Sequence, residues 1–198
     1  MNNKVEKING KDMINIGIFT AVYFVLNLVI AAIMGFIPVV NMMIPLVSSI
    51  ILGIPMMLYF TRIKKSGMVL ITYIIYGSIL TLAGVGVWTL IAGIICALAA
   101  ELVIKRGGYK SSRLTIISYA ICCIGANANL IQFAFLSEKQ MADKVAYYGQ
   151  EYMDKMAGYY SHSWMIPLML LSAFLGGVIG GNLGRVILKK HFIRSGMV

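Results

Sequence analysis

Acidic residues are scarce in this chain: seven Asp and Glu among 198 residues, against 17 Lys and Arg. Charge of either sign makes up 12%, about half of what a soluble domain of this size carries. Histidine occurs twice, as His162 and His191, and cysteine three times. There is no HExxH, no GxSxG, no Walker loop and no pair of acids inside an apolar run. These gaps exclude the commonest hydrolytic and metal-dependent chemistries, so we expect no catalytic residues, no metal site, no cofactor and no enzymatic activity. Without a Walker loop the chain has no ATP-hydrolysing motor of its own, and active transport would need a borrowed one. Cys96, Cys122 and Cys123 form no CxxC pair, and an odd count inside apolar sequence reads as small packing side chains rather than a disulfide framework.

What is present is long uncharged sequence. Met13 to Thr61 has no Asp, Glu, Lys or Arg in 49 residues, Ser66 to Ala100 none in 35, Leu114 to Ser137 none in 24, and Met156 to Gly184 none in 29. A bilayer-crossing helix needs about 20 apolar residues. The first two runs have room for two crossings each and the last two for one each. Backbone groups in lipid must be satisfied internally, which favours helices, and the alternating ten-residue strands of a membrane barrel are missing. The expected fold is therefore an all-α membrane protein of six transmembrane helices in one domain, 1–198. The spans run at about 13–34, 42–60, 68–84, 87–104, 114–136 and 163–187. Gly35 to Asn41 turns the first pair and Gly84-Val-Gly86 the second. The first apolar run follows a basic N-terminus but is too long for a signal peptide and lacks a cleavage site before a soluble domain.

Lys and Arg set the orientation. Lys4, Lys7 and Lys11, then Arg62, Lys64 and Lys65, then Lys105, Arg106, Lys110 and Arg113, then Arg185, Lys189, Lys190 and Arg194 all fall on one side, 14 of the 17 basic residues. That side is expected to be cytoplasmic, with both termini inside and the protein in the bacterial cytoplasmic membrane. The bias, together with anionic lipid, accounts for the net charge of +10, so no nucleic-acid partner is needed. His191 lies in the basic tail and reads as a headgroup-facing residue. Glu101, the single acid within a span, is expected to pair with Lys105 at i,i+4 near the cytoplasmic end; it lacks the second carboxylate that a proton relay wants.

Small residues recur at four-residue spacing. Gly176, Gly180 and Gly184 form one stripe in the last span and Gly177 and Gly181 another, suited to helix packing within the chain or to docking a membrane partner. Gly17-Ile-Phe-Thr-Ala21 repeats the spacing in the first span, with the same two readings.

Six spans, about 200 residues, both ends inside and a small-xxx-small pair opening the first span resemble the substrate-binding S components of energy-coupling factor (ECF) transporters. More closely, Lys11 to Ala21, Gly53-Ile-Pro55, Gly84 to Trp88 and Gly107-Gly-Tyr-Lys-Ser111 resemble the Trep_Strep family of bacterial integral membrane proteins, regarded as a group of S components. The likeness runs over roughly residues 11 to 190 and rests on the order of short motifs and the topology. It implies an outward pocket for a vitamin or similar micronutrient, and assembly with a membrane scaffold subunit and two cytoplasmic ATPases. It also implies that Gly17 and Ala21 meet the scaffold's coupling helices, where many S components have Ala at both positions. S components are thought to topple in the membrane to carry cargo inward.

The residues themselves also suggest a pocket on the outer side. Asn127, Asn129 and Gln132 are expensive in lipid and should face protein or a cavity. Asn129 and Gln132 share a helix face, while Asn127 is expected to point elsewhere. Trp88 and Trp164 open spans at the same level, where aromatic belts also occur. With Asn41 they would make an aromatic-plus-amide site for a flat polar ring, since each amide both donates and accepts. Thiamin precursors, flavins, other vitamins and nucleobase-like compounds all suit such a site. The alternative, a self-sufficient secondary transporter or channel, would want inverted repeats or intramembrane charge, and neither is visible.

One wet segment stands apart. Residues 146 to 164 hold five of the eleven tyrosines. Met141, Val145, Tyr148, Tyr152, Met156 and Tyr159 follow helical spacing, so an amphipathic outer helix is expected at about 138–160, resting on headgroups or lidding the pocket. In the lid reading Tyr152 covers the substrate, and Tyr159, Tyr160, His162 and Trp164 form the hinge into the last span.

Overall fold

The structure, a computed structural model, describes residues 8–196. Among them there is helix and no strand. In chain order the elements are α1 (Gly10–Met34), α2 (Pro38–Asn41), α3 (Ile44–Ile51), α4 (Gly53–Phe60), α5 (Met68–Leu82), α6 (Trp88–Arg106), α7 (Ser112–Ala126), a 3₁₀ segment (Ala128–Ala134), α8 (Glu138–Tyr148), α9 (Gln150–Tyr160), α10 (Met165–Ile187) and α11 (Lys189–Ser195). Lys4 and Lys7 lie outside the described residues.

Among the described residues four stretches are long and apolar enough to cross a membrane: Gly10–Met34, Trp88–Arg106, Ser112–Phe133 and Met165–Ile187. Large aliphatic side chains stand exposed along their flanks, among them Ile33, Leu102, Leu168 and Val186. In water such a surface would drive aggregation, and in lipid it is the ordinary outside of a bundle.

The second expected span is interrupted. Pro55 has no N–H to give to the carbonyl of Ile51, and its ring crowds that carbonyl, so the helix breaks at Leu52 and resumes as α4. The fifth span is α-helical only to Ala126. Asn127 Nδ2 turns back to the Cys123 carbonyl at 2.9 Å, and the chain continues as 3₁₀. Between α5 and α6 the turn needs the left-handed region at Gly84 (φ 79°) and Gly86 (φ 112°), and Thr81 Oγ1 donates to the Gly77 carbonyl at 2.8 Å beside it.

The glycine stripes are internal seams. A Cβ placed on Gly180 would lie 2.5 Å from the carbonyl oxygens of Ser49 and Ile50, and one on Gly176 2.5 Å from that of Leu46. Gly184 faces Gly53 and Met57 of α4, while Gly177 and Gly181 face Ala120 and Ile116 of α7. One side of α10 thus seats α3 and α4, and the adjacent side seats α7, at backbone contact distance. Of the two readings of these stripes, packing within the chain is the one observed. Gly17 differs: nothing lies within 4 Å of an added Cβ, and it and Ala21 are both exposed on the face of α1 turned away from the bundle.

The core behind these seams is rich in tyrosine. Tyr59, Tyr73 and Tyr119 are fully buried; Tyr119 donates to the Ser49 carbonyl at 2.8 Å, and the Tyr59 hydroxyl lies 2.6 Å from Thr72 Oγ1. At the end carrying the basic loops, Asn9 and Asp12 form a capping box on α1, and Asp12 also pairs with Lys65 at 2.7 Å. Glu101 is not paired with Lys105. Its carboxylate accepts from the Gly67 N–H at 2.8 Å, the Leu70 N–H at 3.1 Å and the Ser66 hydroxyl at 3.3 Å, and so caps the N-terminus of α5. Four unpaired N–H groups and a helix dipole attract a carboxylate more strongly than one solvated lysine does.

Candidate functional site

At the opposite end of the bundle a cavity of about 650 Å³ opens between the second half of α1, the start of α3, the end of α5, the 3₁₀ segment and the α8–α9 pair. Its volume falls within the usual range for small-molecule sites, about 300–1,000 Å³.

The walls assemble from local structure. Along α1, Asn27 follows Tyr23 by four residues and precedes Ile30 by three, so it shares their inward face. There Asn27 Nδ2 donates to the Tyr76 hydroxyl of α5 at 2.6 Å. Tyr76 keeps its own O–H, and Asn27 its carbonyl oxygen, for the cavity that both line. Across from them, the three-residue turn of the 3₁₀ segment eclipses Asn129 and Gln132 on the same side, and both line the cavity. Asn127 lines it too, but its amide donates back to the Cys123 carbonyl at 2.9 Å, at the point where the chain passes from α to 3₁₀ geometry. Asn41, from the end of α2, also reaches the wall. Leu28, Ile44, Leu80, Leu130 and Met153 supply the apolar surface between them.

The expected single outer helix is two. Gly149 takes φ 88° and ψ 155°, a combination open to glycine, and separates α8 from α9. α9 is the anchored half: Met156 and Tyr160 are buried against Leu130 and Met169, and Tyr160 stacks on Phe133 at 4.7 Å between ring centroids. Tyr152, on α9, donates to the Gly35 carbonyl at 2.7 Å and stacks on Tyr148 at 4.9 Å. Burial, and then the neighbouring Tyr148, push the Tyr152 phenol up to about 12, so it stays protonated as a donor at any physiological pH. α8 brings Gln140, Asp143, Lys144, Tyr147 and Tyr148 to the mouth. Lys144 Nζ lies over the Phe133 ring at 5.5 Å, and burial holds its pKa below the usual lysine range.

Of the site residues expected from sequence, Asn41, Asn129, Gln132 and Tyr152 meet at this cavity. Trp88, Tyr159, His162 and Trp164 do not line it. Trp88 stacks on Phe135 at 5.6 Å outside the wall. Tyr159 belongs to the apolar cluster beneath α9. His162 and Trp164 sit exposed at the start of α10, 5.8 Å apart, with His162 Nδ1 3.2 Å from the Gly158 carbonyl. His162 and Trp164 are exposed and Trp88 is half-buried outside the cavity wall, positions in which amphipathic rings favour the interface over the interior. Asn27, Tyr76 and Lys144 were missed. Asn27 was legible as an amide midway along the first apolar run, whereas Tyr76 carries no signal that separates it from the other core tyrosines.

A family model described as a hypothetical bacterial integral membrane protein (Trep_Strep) matches residues 10–194, and the chain belongs to that family. With its apolar helices, this makes it a multi-pass bacterial membrane protein. No curated protein and no solved structure matches it.

Proposed function

We propose that this Trep_Strep family member is the membrane-embedded substrate-binding subunit, the S component, of an ECF-type importer for a vitamin-sized micronutrient. The observation that carries the reading is the cavity itself. It lies at the bundle end opposite the basic loops, is lined by amides and tyrosines, and is roofed by a helix pinned at Tyr152 to the α1–α2 turn. In this reading the chain crosses the membrane six times: the four long stretches, the interrupted α3–α4 and the 15-residue α5. Both termini are cytoplasmic, the cavity faces outward, and the protein binds rather than transforms its cargo.

Partner assembly follows from the same reading. Gly17 and Ala21 leave a shallow notch on the exposed face of α1, between the bulkier Ile14, Ile18 and Val25. A scaffold's coupling helix can approach the backbone closely there. The partners are the ECF scaffold and two ATPases, which supply the energy that this chain has no motif to release. Co-expression with an ECF scaffold and its ATPases, followed by affinity capture on this chain, tests the assignment. Recovery of all three supports it. Ion-gradient-driven transport by the isolated chain in liposomes contradicts it.

A further inference from the structure

We infer that the solute taken by this cavity carries an acidic group, and that Lys144 is the residue that receives it. The inference rests on the binding-subunit reading and adds the charge class of the substrate.

Lys144 is half-buried in the cavity wall, with its ammonium over the face of Phe133. The groups facing the same space from α1, α2, α5 and the 3₁₀ segment are neutral: the amides of Asn27, Asn41, Asn129 and Gln132, and the phenol of Tyr76. The other titratable groups at the mouth are Asp143, Tyr147, Tyr148 and Tyr152. Asp143 is exposed and sits one residue away on α8, a rotation of about 100° around the helix. It does not pair with Lys144: the ion pairs among the described residues are Asp12–Lys65 and Glu151–Lys155. Lys155 is thus already neutralised, and Lys139 is exposed and outside the wall.

A half-buried ammonium has lost part of its hydration without gaining a counter-ion. The ring face of Phe133 repays some of that loss. A carboxylate or phosphate within about 4–6 Å would repay more. The cavity therefore pairs an uncharged, hydrogen-bonding interior with one cation at its mouth. That combination fits a flat polar body inside and an acid arm at the rim. An anion could also come from a lipid headgroup, since α8 lies where headgroups would sit.

The experiment uses the full chain with its lysines ¹³C-dimethylated, in phosphatidylcholine nanodiscs, with the Lys144 signal identified by its loss in Lys144→Arg. Three acids are added, each against its uncharged counterpart: nicotinate and nicotinamide, biotin and biotinamide, pantothenate and panthenol. The expected result is that at least one acid moves the Lys144 signal and raises its titration midpoint by about one pH unit, while the neutral counterpart leaves it in place. The same acid should bind about tenfold more weakly to Lys144→Gln, the equivalent of that shift. No response to any acid, or an equal response to the neutral partners, overturns the inference. So does a shift produced by phosphatidylglycerol in the disc with no further response to acids, which would assign the anion to a headgroup. A chain that still captures the ECF scaffold while Lys144 ignores every acid keeps its subunit role and loses only the acidic substrate.

Discussion

The hydroxyl of Tyr152 donates to the main-chain carbonyl of Gly35 at 2.7 Å, joining residues 117 positions apart. The bond ties α9 to the exit of α1 across the cavity, so it closes the roof without filling the space below. Removing the hydroxyl in Tyr152→Phe forfeits one neutral hydrogen bond, about 0.5–1.5 kcal/mol. The expected outcome is faster amide hydrogen exchange in residues 138–160, with α10 unchanged. Tyr152→Ala, which also removes the stack on Tyr148, should speed release of retained solute by about tenfold, consistent with about 1.4 kcal/mol. An unchanged off-rate in Tyr152→Ala would leave α9 as a helix that rests on headgroups.

Gly180 and Gly17 should respond in opposite ways to one methyl group. At Gly180 the new Cβ would strike the carbonyl oxygens of Ser49 and Ile50, which are backbone and cannot turn aside. Gly180→Ala is expected to cost about 1–3 kcal/mol and to lower the thermal midpoint in detergent. Gly17→Ala meets open space and should leave that midpoint unchanged or slightly higher. Gly17→Leu should fold equally well but fail to capture the scaffold. Capture that survives it would remove α1 as the docking face.

Glu101 and Lys105 offer a second contrast. Glu101→Ala uncaps α5 and should cost about 1–3 kcal/mol, because it strands the N–H groups of Gly67 and Leu70 in a partly buried site. Lys105→Ala should be neutral within about 0.5 kcal/mol, since the lysine is exposed and makes no ion pair with Glu101. Thermal unfolding of the two variants side by side separates a cap from a helical ion pair.

Stability should be flat in acid until low pH. The hydrogen bond from Lys65, then that from the Asn9 N–H, hold the Asp12 carboxyl below its ordinary 3.8. A lowered folded pKa stabilises the fold above the unfolded value and is lost as pH falls through the folded one. The difference in thermal midpoint between the wild type and Asp12→Asn should therefore be constant from pH 7 to pH 5 and shrink only below about pH 4. A difference that shrinks by pH 6 would mean that the pair is not what holds α1 to the α4–α5 loop.

Much of the helix plan was legible because lipid and turn chemistry both write on the sequence. Uncharged runs marked the four stretches that are long and apolar enough to cross a membrane among the described residues, and Gly84-Val-Gly86 marked the tight turn between α5 and α6. The breaks were less visible. Pro55 interrupts an expected span whose hydropathy never falters, and Gly149 divides an expected helix whose apolar spacing runs straight through it. Within the site, Asn41, Asn129 and Gln132 stood out because amides are costly in apolar sequence. Trp88, Tyr159, His162 and Trp164 misled because belt and pocket place aromatics at the same depth, and only three-dimensional facing separates them. Glu101 was read against its nearest neighbour in sequence, while its partners came from a helix start more than thirty residues away.

The most direct measurement is native mass spectrometry of the protein purified from the cells that make it, compared with an Asn129→Trp variant whose added ring fills the cavity. The expected result is one small-molecule adduct per wild-type chain, absent from a variant that remains folded. An adduct retained equally by the filled variant, or none on the wild type, would contradict the assignment of this cavity as the substrate site.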